Sequence, residues 1–311
     1  MTEAGAAQGS DDRSLPPLRV GLVNNMPDAA VTVTERQFGD LLQAAAPHRR
    51  VELQFFEIPE IRRSADMRAA MARRYRSIEA LPDAMPDVLA VTGADPGGRP
   101  LREAVFWPGF ARLVDWTVKA QRPTLWSCLA AHAAVDHLDG IVRRPLPAKL
   151  SGVYACKASG PDPLLQGLKD GWSVPHSRYN DVNEDELLRH GYQILSRSET
   201  VGVDAFVRRG PPLFLFQQGH PEYDGDTLAL EFRRDFRAYV QGERENLPQV
   251  PAGLFAPEIE GALADLRETA LRSPSPDLMR QWPVGLGAGA RPPPWREPTV
   301  RLCANWLAAV L

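Results

Sequence analysis

The stretch Arg122-Pro-Thr-Leu-Trp-Ser-Cys128-Leu-Ala130 decides the fold. Residues 122–127 are a short apolar run of the kind that fills a buried strand. Residues 129–138 are alanine-rich and helical in period. A single cysteine separates the two. A strand that passes directly into a helix turns sharply, and Cys128 then stands at the helix N-terminus, where backbone N–H groups and the helix dipole favour negative charge. The same N–H groups can hold the oxyanion of an acyl-transfer intermediate. Free cysteine is also among the most buried residue types. Placement alone therefore leaves both a catalytic and a purely structural Cys128 open.

Working outward, the same alternation repeats. Residues 18–23, 51–56 and 87–92 read as strands, and residues 106–119 carry Phe110, Leu113, Val114 and Val118 at helical spacing. A helix is expected from about Thr34, with Phe38, Leu41 and Leu42 on one face, and the charged segment 64–81 is helical in period. Strands alternating with helices imply an α/β fold, a mostly parallel sheet flanked by helices on both faces. Ligands of such sheets bind beyond the carboxyl ends of the strands. Asn24-Asn25, Gly93 and Cys128 all follow strands at that edge. Further along, residues 193–196, 205–207 and 213–216 read as antiparallel, hairpin-like strands, and residues 227–240 as an amphipathic helix. The expected organisation is a disordered N-terminus over 1–17, a main domain over 18–243, a Pro/Gly-rich, partly helical insertion over 244–298 (helical near 259–272), and a C-terminal helix over 299–311 packing on the main domain.

The composition narrows the function classes. A net charge of -3 over 311 residues leaves no basic nucleic-acid footprint, which points to small-molecule partners, with a homodimer possible. Cys128, Cys156 and Cys303 are an odd, widely spaced set without a CxxC pair. That argues against a disulfide framework and against a structural metal site. The polar N-terminus lacks the apolar core of a signal peptide, and no run approaches the roughly 18 apolar residues of a membrane span. A cytoplasmic protein is the expectation.

His220-Pro-Glu222 sharpens the reading of Cys128. Two residues apart in extended chain, a histidine and a carboxylate project to one side. The imidazole can act as base toward a thiol while the carboxylate orients it. Alone, the tripeptide is weak, and His220 could equally cap the helix that follows. With a strand-end cysteine upstream it forms a coherent Cys128, His220 and Glu222 constellation.

Several ordered strings then resemble one family. Asn25-Met26-Pro27, Thr34-Glu35-Arg36-Gln37-Phe38, Val91-Thr92-Gly93-Ala94, Lys149-Leu-Ser-Gly-Val-Tyr154, Pro175-His-Ser-Arg-Tyr179, Gly219-His-Pro-Glu-Tyr-Asp224 and Asn305-Trp306-Leu307 match the homoserine O-acyltransferases. The resemblance covers residues 18–243 and the last helix. It implies a class I glutamine amidotransferase-like (flavodoxin-like) fold. It also implies a homoserine O-succinyltransferase activity in methionine synthesis, with no bound cofactor and with succinyl-CoA (or acetyl-CoA) as co-substrate. On the family's pattern Cys128 is the acylated nucleophile, His220 its base and Glu222 the partner acid. Lys149, Ser177 and Arg234 fall on substrate-contact positions, and a planar Arg fork suits the acceptor's carboxylate.

The loop Gly93-Ala-Asp-Pro-Gly97 aligns with the family segment whose last residue separates donors. Glycine there accompanies succinyl transfer and glutamate acetyl transfer. A glutamate would fill the space of the succinyl tail and repel its charge, whereas Gly97 leaves room. Leu129 and His132 depart from the family's Trp and Gln. The competing readings are a glutamine amidotransferase-like cysteine hydrolase and a catalytically silent regulatory homologue. Trp126 and Ala130 stand where such hydrolases carry glycine, which speaks against the first.

Overall fold

In the computed structural model, residues 15–283 and 293–311 are described. The expected disordered N-terminus falls largely outside them, as do Gly285 to Gly289. Among the described residues ten strands form one sheet. They are β1 (Leu18–Val23), β2 (Val51–Glu57), β3 (Tyr75–Ser77), β4 (Val88–Val91), β5 (Thr124–Ser127), β6 (Arg144–Ala158), β7 (Trp172–Asp181), β8 (Gln193–Ser198), β9 (Gly202–Arg208) and β10 (Phe214–Gln217). Their spatial order is β3-β2-β1-β4-β5-β10-β9-β8-β6-β7. From β3 to β10 every pairing is parallel; from β10 to β7 every pairing is antiparallel.

Alternation along the strands sets up a core on each face. Leu89, Val91, Trp126, Phe214 and Phe216 point to one side, where α4 (Trp107–Lys119) and α5 (Leu129–Asp139) pack through Phe110, Leu113, Val114, Ala134 and Val135. Val88, Ala90, Leu125 and Leu215 point to the other. There α1 (Val31–Ala45) presents Phe38, Leu41 and Leu42, and α9 (Arg296–Val310) presents Leu302, Trp306 and Leu307. Burying apolar surface on both faces is what keeps the parallel strands continuous in Val, Leu and Ala.

Three segments differ from the expectation. In 64–81 only α2 (Ala65–Met71) and the short α3 (Leu81–Ala84) are α-helical, and β3 lies between them. Tyr75 there is buried, stacks on Phe55 and donates its hydroxyl to Glu35 at 2.8 Å, so tertiary contacts override the helical period. β10 does not belong wholly to an antiparallel hairpin: it is antiparallel to β9 but parallel to β5. Its four residues are all buried, as a central strand covered on both faces requires. Finally β6 and β7 form the longest ladder of the sheet, yet neither reads as a strand: β6 has only two buried residues and contains Pro145 and Pro147, and β7 mixes Pro175, His176, Ser177 and Arg178 into its middle.

Beyond β10 the chain forms α7 (Thr227–Val240), then α8 (Pro257–Arg272). Phe232, Phe236, Leu263, Leu266 and Trp282 make a small separate core, so this part of the 244–298 segment packs on α7. A backbone bridge from Ala252 to Ser151 and Val153 ties it to β6 as well. A further helix, α6 (Glu184–Arg189), contributes Leu187 to the first core. No helix among the described residues is long and apolar enough to cross a membrane.

Candidate active site

Because β1, β4, β5 and β10 are parallel, their carboxyl ends share one edge, and the loops that follow them meet there. The β5–α5 turn is held at both ends. The Cys128 N–H donates to the Gln217 carbonyl at 2.7 Å, and the Cys128 carbonyl accepts from the Ala131 N–H at 2.9 Å. Between these bonds Cys128 adopts φ 50°, ψ -112°, a conformation rare for a residue with a side chain. Such strain costs on the order of 1–3 kcal/mol and persists only where the surroundings enforce it. The sulfur is partly exposed at the N-terminus of α5.

Gly93, after β4, lies flat against that turn. A Cβ there would come within 2.5 Å of Leu129 Cβ and 2.8 Å of the Ala130 nitrogen, so only glycine lets the two backbones approach. The Ala131 and His132 N–H groups are taken by the Cys128 carbonyl, which leaves those of Leu129 and Ala130, packed against Gly93, as the first-turn donors without an intrahelical acceptor.

His220 follows β10, the strand beside β5, and its N–H donates to the Pro175 carbonyl at 2.7 Å. Its Nδ1 lies 2.8 Å from Glu222 Oε1, and its ring stacks on Tyr223 at 4.4 Å between centroids. Both His220 and Glu222 are buried. Burial alone would lower the histidine's pKa, but the neighbouring Cys128 sulfur and Glu222 carboxylate hold it well above the usual value.

Lys149 on β6, Ser177 on β7 and Arg234 on α7 converge on two carboxylates of α7. Ser177 donates to Glu231 at 2.6 Å, and Tyr223 donates to the same group at 2.7 Å. Lys149 Nζ stands 3.5 Å from Glu231 and 3.4 Å from Asp235. Arg234 donates through Nε and Nη2 to Asp235, at 2.9 and 2.8 Å. Despite burial, Lys149 and the two hydroxyl donors hold Glu231 below the ordinary carboxylate range.

Cys128, His220, Glu222, Lys149, Ser177 and Arg234 thus line one cavity of about 570 Å³. Gly97 does not line it. It borders an adjoining cavity of about 400 Å³, which shares Pro27, Ala94, Asp95 and Pro96 with the first. Gly97 has φ 64° with no atom near its would-be Cβ, so it sits on an open turn at the junction. The sequence reading missed Glu231 and Asp235, although both lie one turn or less from Arg234 on the same helix. It also missed Arg143, which lines the cavity between α5 and β6. His132 is a brace: its Nε2 meets Gln218 Oε1 at 2.8 Å, and burial drops its pKa to about 4, leaving it neutral.

A parallel sheet carrying a cysteine on the turn after its central strand is the architecture of the class I glutamine amidotransferase-like proteins. A solved glutamine amidotransferase from Methylobacillus flagellatus superposes with a TM-score of 0.52 at 15% identity, covering 95% of each chain. One from Thermotoga maritima gives 0.50 at 12% identity, over 85% of this chain and 96% of that one. At such identities the likeness is one of fold. The sequence goes further: residues 3–310 match the homoserine O-succinyltransferase family. A homoserine O-succinyltransferase of Methylorubrum extorquens is 47% identical, over 94% of this chain and 87% of that protein. One of Bradyrhizobium japonicum is 46% identical, over 87% and 85%. The chain belongs to this family and is an acyltransferase.

Proposed function

We propose that the protein transfers succinyl from succinyl-CoA to the hydroxyl of homoserine by a ping-pong route through a Cys128 thioester. The observation that carries the route is the placement of His220, braced by Glu222, beside a strained Cys128 at a helix N-terminus. The Cys128 sulfur attacks the thioester carbonyl. The N–H groups of Leu129 and Ala130 and that of Gly93 hold the oxyanion, and coenzyme A leaves as its thiol after taking a proton from His220. In the second half, His220 removes the proton of the acceptor hydroxyl, whose oxygen attacks the acyl thioester and releases Cys128. Glu222 keeps the imidazole oriented and steadies its charged form.

In this reading Lys149, Ser177 and Arg234 bind the acceptor. A hydroxy-amino acid carries a carboxylate and an ammonium, and a wall of alternating cations and carboxylates suits both. The succinyl donor is supported by the names of the relatives and by Gly97, whose open turn leaves space at the mouth of the cavity. We assign the protein to the cytoplasm, where its three unpaired cysteines stay reduced.

Intact mass measured after mixing with succinyl-CoA or acetyl-CoA tests the route. A succinyl increment that is lost in Cys128→Ala and discharged by homoserine is the expected result. An adduct that persists in Cys128→Ala, on Cys156 or Cys303, would overturn it.

A further inference from the structure

Arg143 stands on the connection between Gly140, which ends α5 in a left-handed turn, and β6. Buried Ile141 anchors that connection against the first core, which fixes where the arginine emerges. The side chain is half-buried and lines the cavity that also holds Cys128.

Every other cation of that cavity is engaged. Lys149 meets Glu231 and Asp235, Arg234 is bound to Asp235, and Arg178 donates to Asp181, Asn180 and Val201. Arg143 makes no hydrogen bond and no ion pair among the described residues. Asp136, near it on α5, is already taken by Arg102 at 2.8 Å, and Asp95 faces it from the loop after β4 without forming a pair. Burial accordingly pulls the guanidinium below its ordinary value, while the charges of Asp95 and of Cys128 pull the other way. A half-buried guanidinium with no counter-ion is costly. Its five donors in a planar fork match a carboxylate bidentately.

We propose that Arg143 receives the terminal carboxylate of the succinyl group, so that donor choice is made by charge as well as by space. This rests on the succinyl reading above. The acceptor's carboxylate has its own cations, Lys149 and Arg234, on the β6–β7–α7 side. Arg143 is on the α5 side of the cavity that Cys128 also lines, and is the cation left for the anionic end of the acyl group. Gly97 and Arg143 then do different things: the glycine leaves the mouth open, and the arginine rewards a donor that ends in a negative charge.

The same guanidinium could instead meet a phosphate of coenzyme A, and the test separates the two sources of anion. Rates of thioester formation are measured for succinyl-CoA and for butyryl-CoA, which has the same chain length but a methyl end, along with inhibition by free coenzyme A. Arg143→Gln is expected to lower kcat/KM for succinyl-CoA by about 10- to 100-fold, the value of a charge-assisted bidentate contact. The loss with butyryl-CoA should be at most about threefold by the same argument, and inhibition by coenzyme A should hold. Arg143→Lys should recover part of the succinyl rate, and it serves as the second variant if the glutamine form folds poorly. Equal losses on both donors, or weakened inhibition by coenzyme A, would reassign Arg143 to the phosphates and overturn the proposal. If the unaltered protein itself prefers acetyl-CoA or butyryl-CoA, the succinyl reading fails first, whatever the variants do.

Discussion

Cys128 stands where two buried apolar elements meet, β5 and α5, and what holds it directly is backbone hydrogen bonding and close packing. Lys149, Ser177 and Arg234 come from β6, β7 and α7, and what positions them is a chain of charges and hydroxyl donors centred on Glu231 and Asp235. The two walls of one cavity are therefore built from different forces. On the nucleophile wall a few kcal/mol of strain is offset by surrounding burial. The geometry there is set before any substrate arrives. On the proposed acceptor wall each cation is already paired with a carboxylate, so an amino acid bound there as proposed would exchange one set of ion pairs for another. Damage to the first wall should appear in the chemistry. Damage to the second should appear in acceptor affinity.

The largest expected effect tests the first half of that contrast. His220→Asn keeps an amide that can face Glu222 but removes the proton carrier. It should slow turnover by about 10²–10⁴-fold, the usual worth of a general base. Rapid-quench measurement should find both half-reactions slowed, with thermal stability little changed. A variant that acylates Cys128 at the normal rate would show that the nucleophile is activated by the helix terminus alone.

A smaller effect tests the second half. Arg234→Lys replaces a fork by a point charge, and should raise the acceptor KM on the order of tenfold while leaving donor acylation near normal. Steady-state kinetics with each substrate varied in turn separates the two. If the acceptor KM does not move, Arg234 belongs to the Asp235 ion pair only. If donor acylation falls equally, the two walls are not independent.

The same contrast explains what the sequence disclosed. The strand–cysteine–helix turn was legible from the residues alone, because strand 124–127, Cys128 and helix 129–139 are contiguous and both elements carry a local signal, while the role of Cys128 was left open by placement alone. The acceptor wall was not legible in this way. Residues 86 positions apart, Lys149 and Asp235, meet only through the fold. β6 has two prolines and few buried positions, and polar residues interrupt β7, so neither has an apolar alternation to read. Family resemblance supplied Lys149, Ser177 and Arg234. The carboxylates that hold them, Glu231 and Asp235, follow from the helix spacing of α7 once Arg234 is placed on it. Gly97 shows the limit of alignment: its position on the loop was readable, but not that it would border the adjoining cavity.

The smallest effect concerns the scaffold behind the nucleophile. His132, on the second turn of α5, is buried with Gln218 as its hydrogen-bond partner, and Gln218 in turn donates to the Val203 carbonyl at 2.7 Å. This brace links the helix that carries Cys128 to the strand end that carries His220. In the folded protein His132 titrates at about 4, lowered by burial, with Arg178 and Arg143 also opposing its charge. In the unfolded chain it titrates near 6.5. The unfolded state therefore binds a proton that the folded state refuses. The stability this confers is complete above about pH 6.5 and is lost as the pH falls towards 4, to the extent of about 3 kcal/mol. His176, buried beside Asp204 and also shifted down, adds to the loss in the same acidic direction. His132→Gln can keep the bond to Gln218 without a titrating group. Urea unfolding from pH 7.5 to 4.5 should show a shallower loss of stability in the variant, with activity at neutral pH changed by less than about threefold, since no proton transfer is assigned to His132. An unchanged slope would place the acid sensitivity in His176 or the carboxylates. A large loss of activity at neutral pH would mean that the α5–β10 brace needs the imidazole's shape, and that the nucleophile wall is tuned by side-chain packing as well as by its backbone.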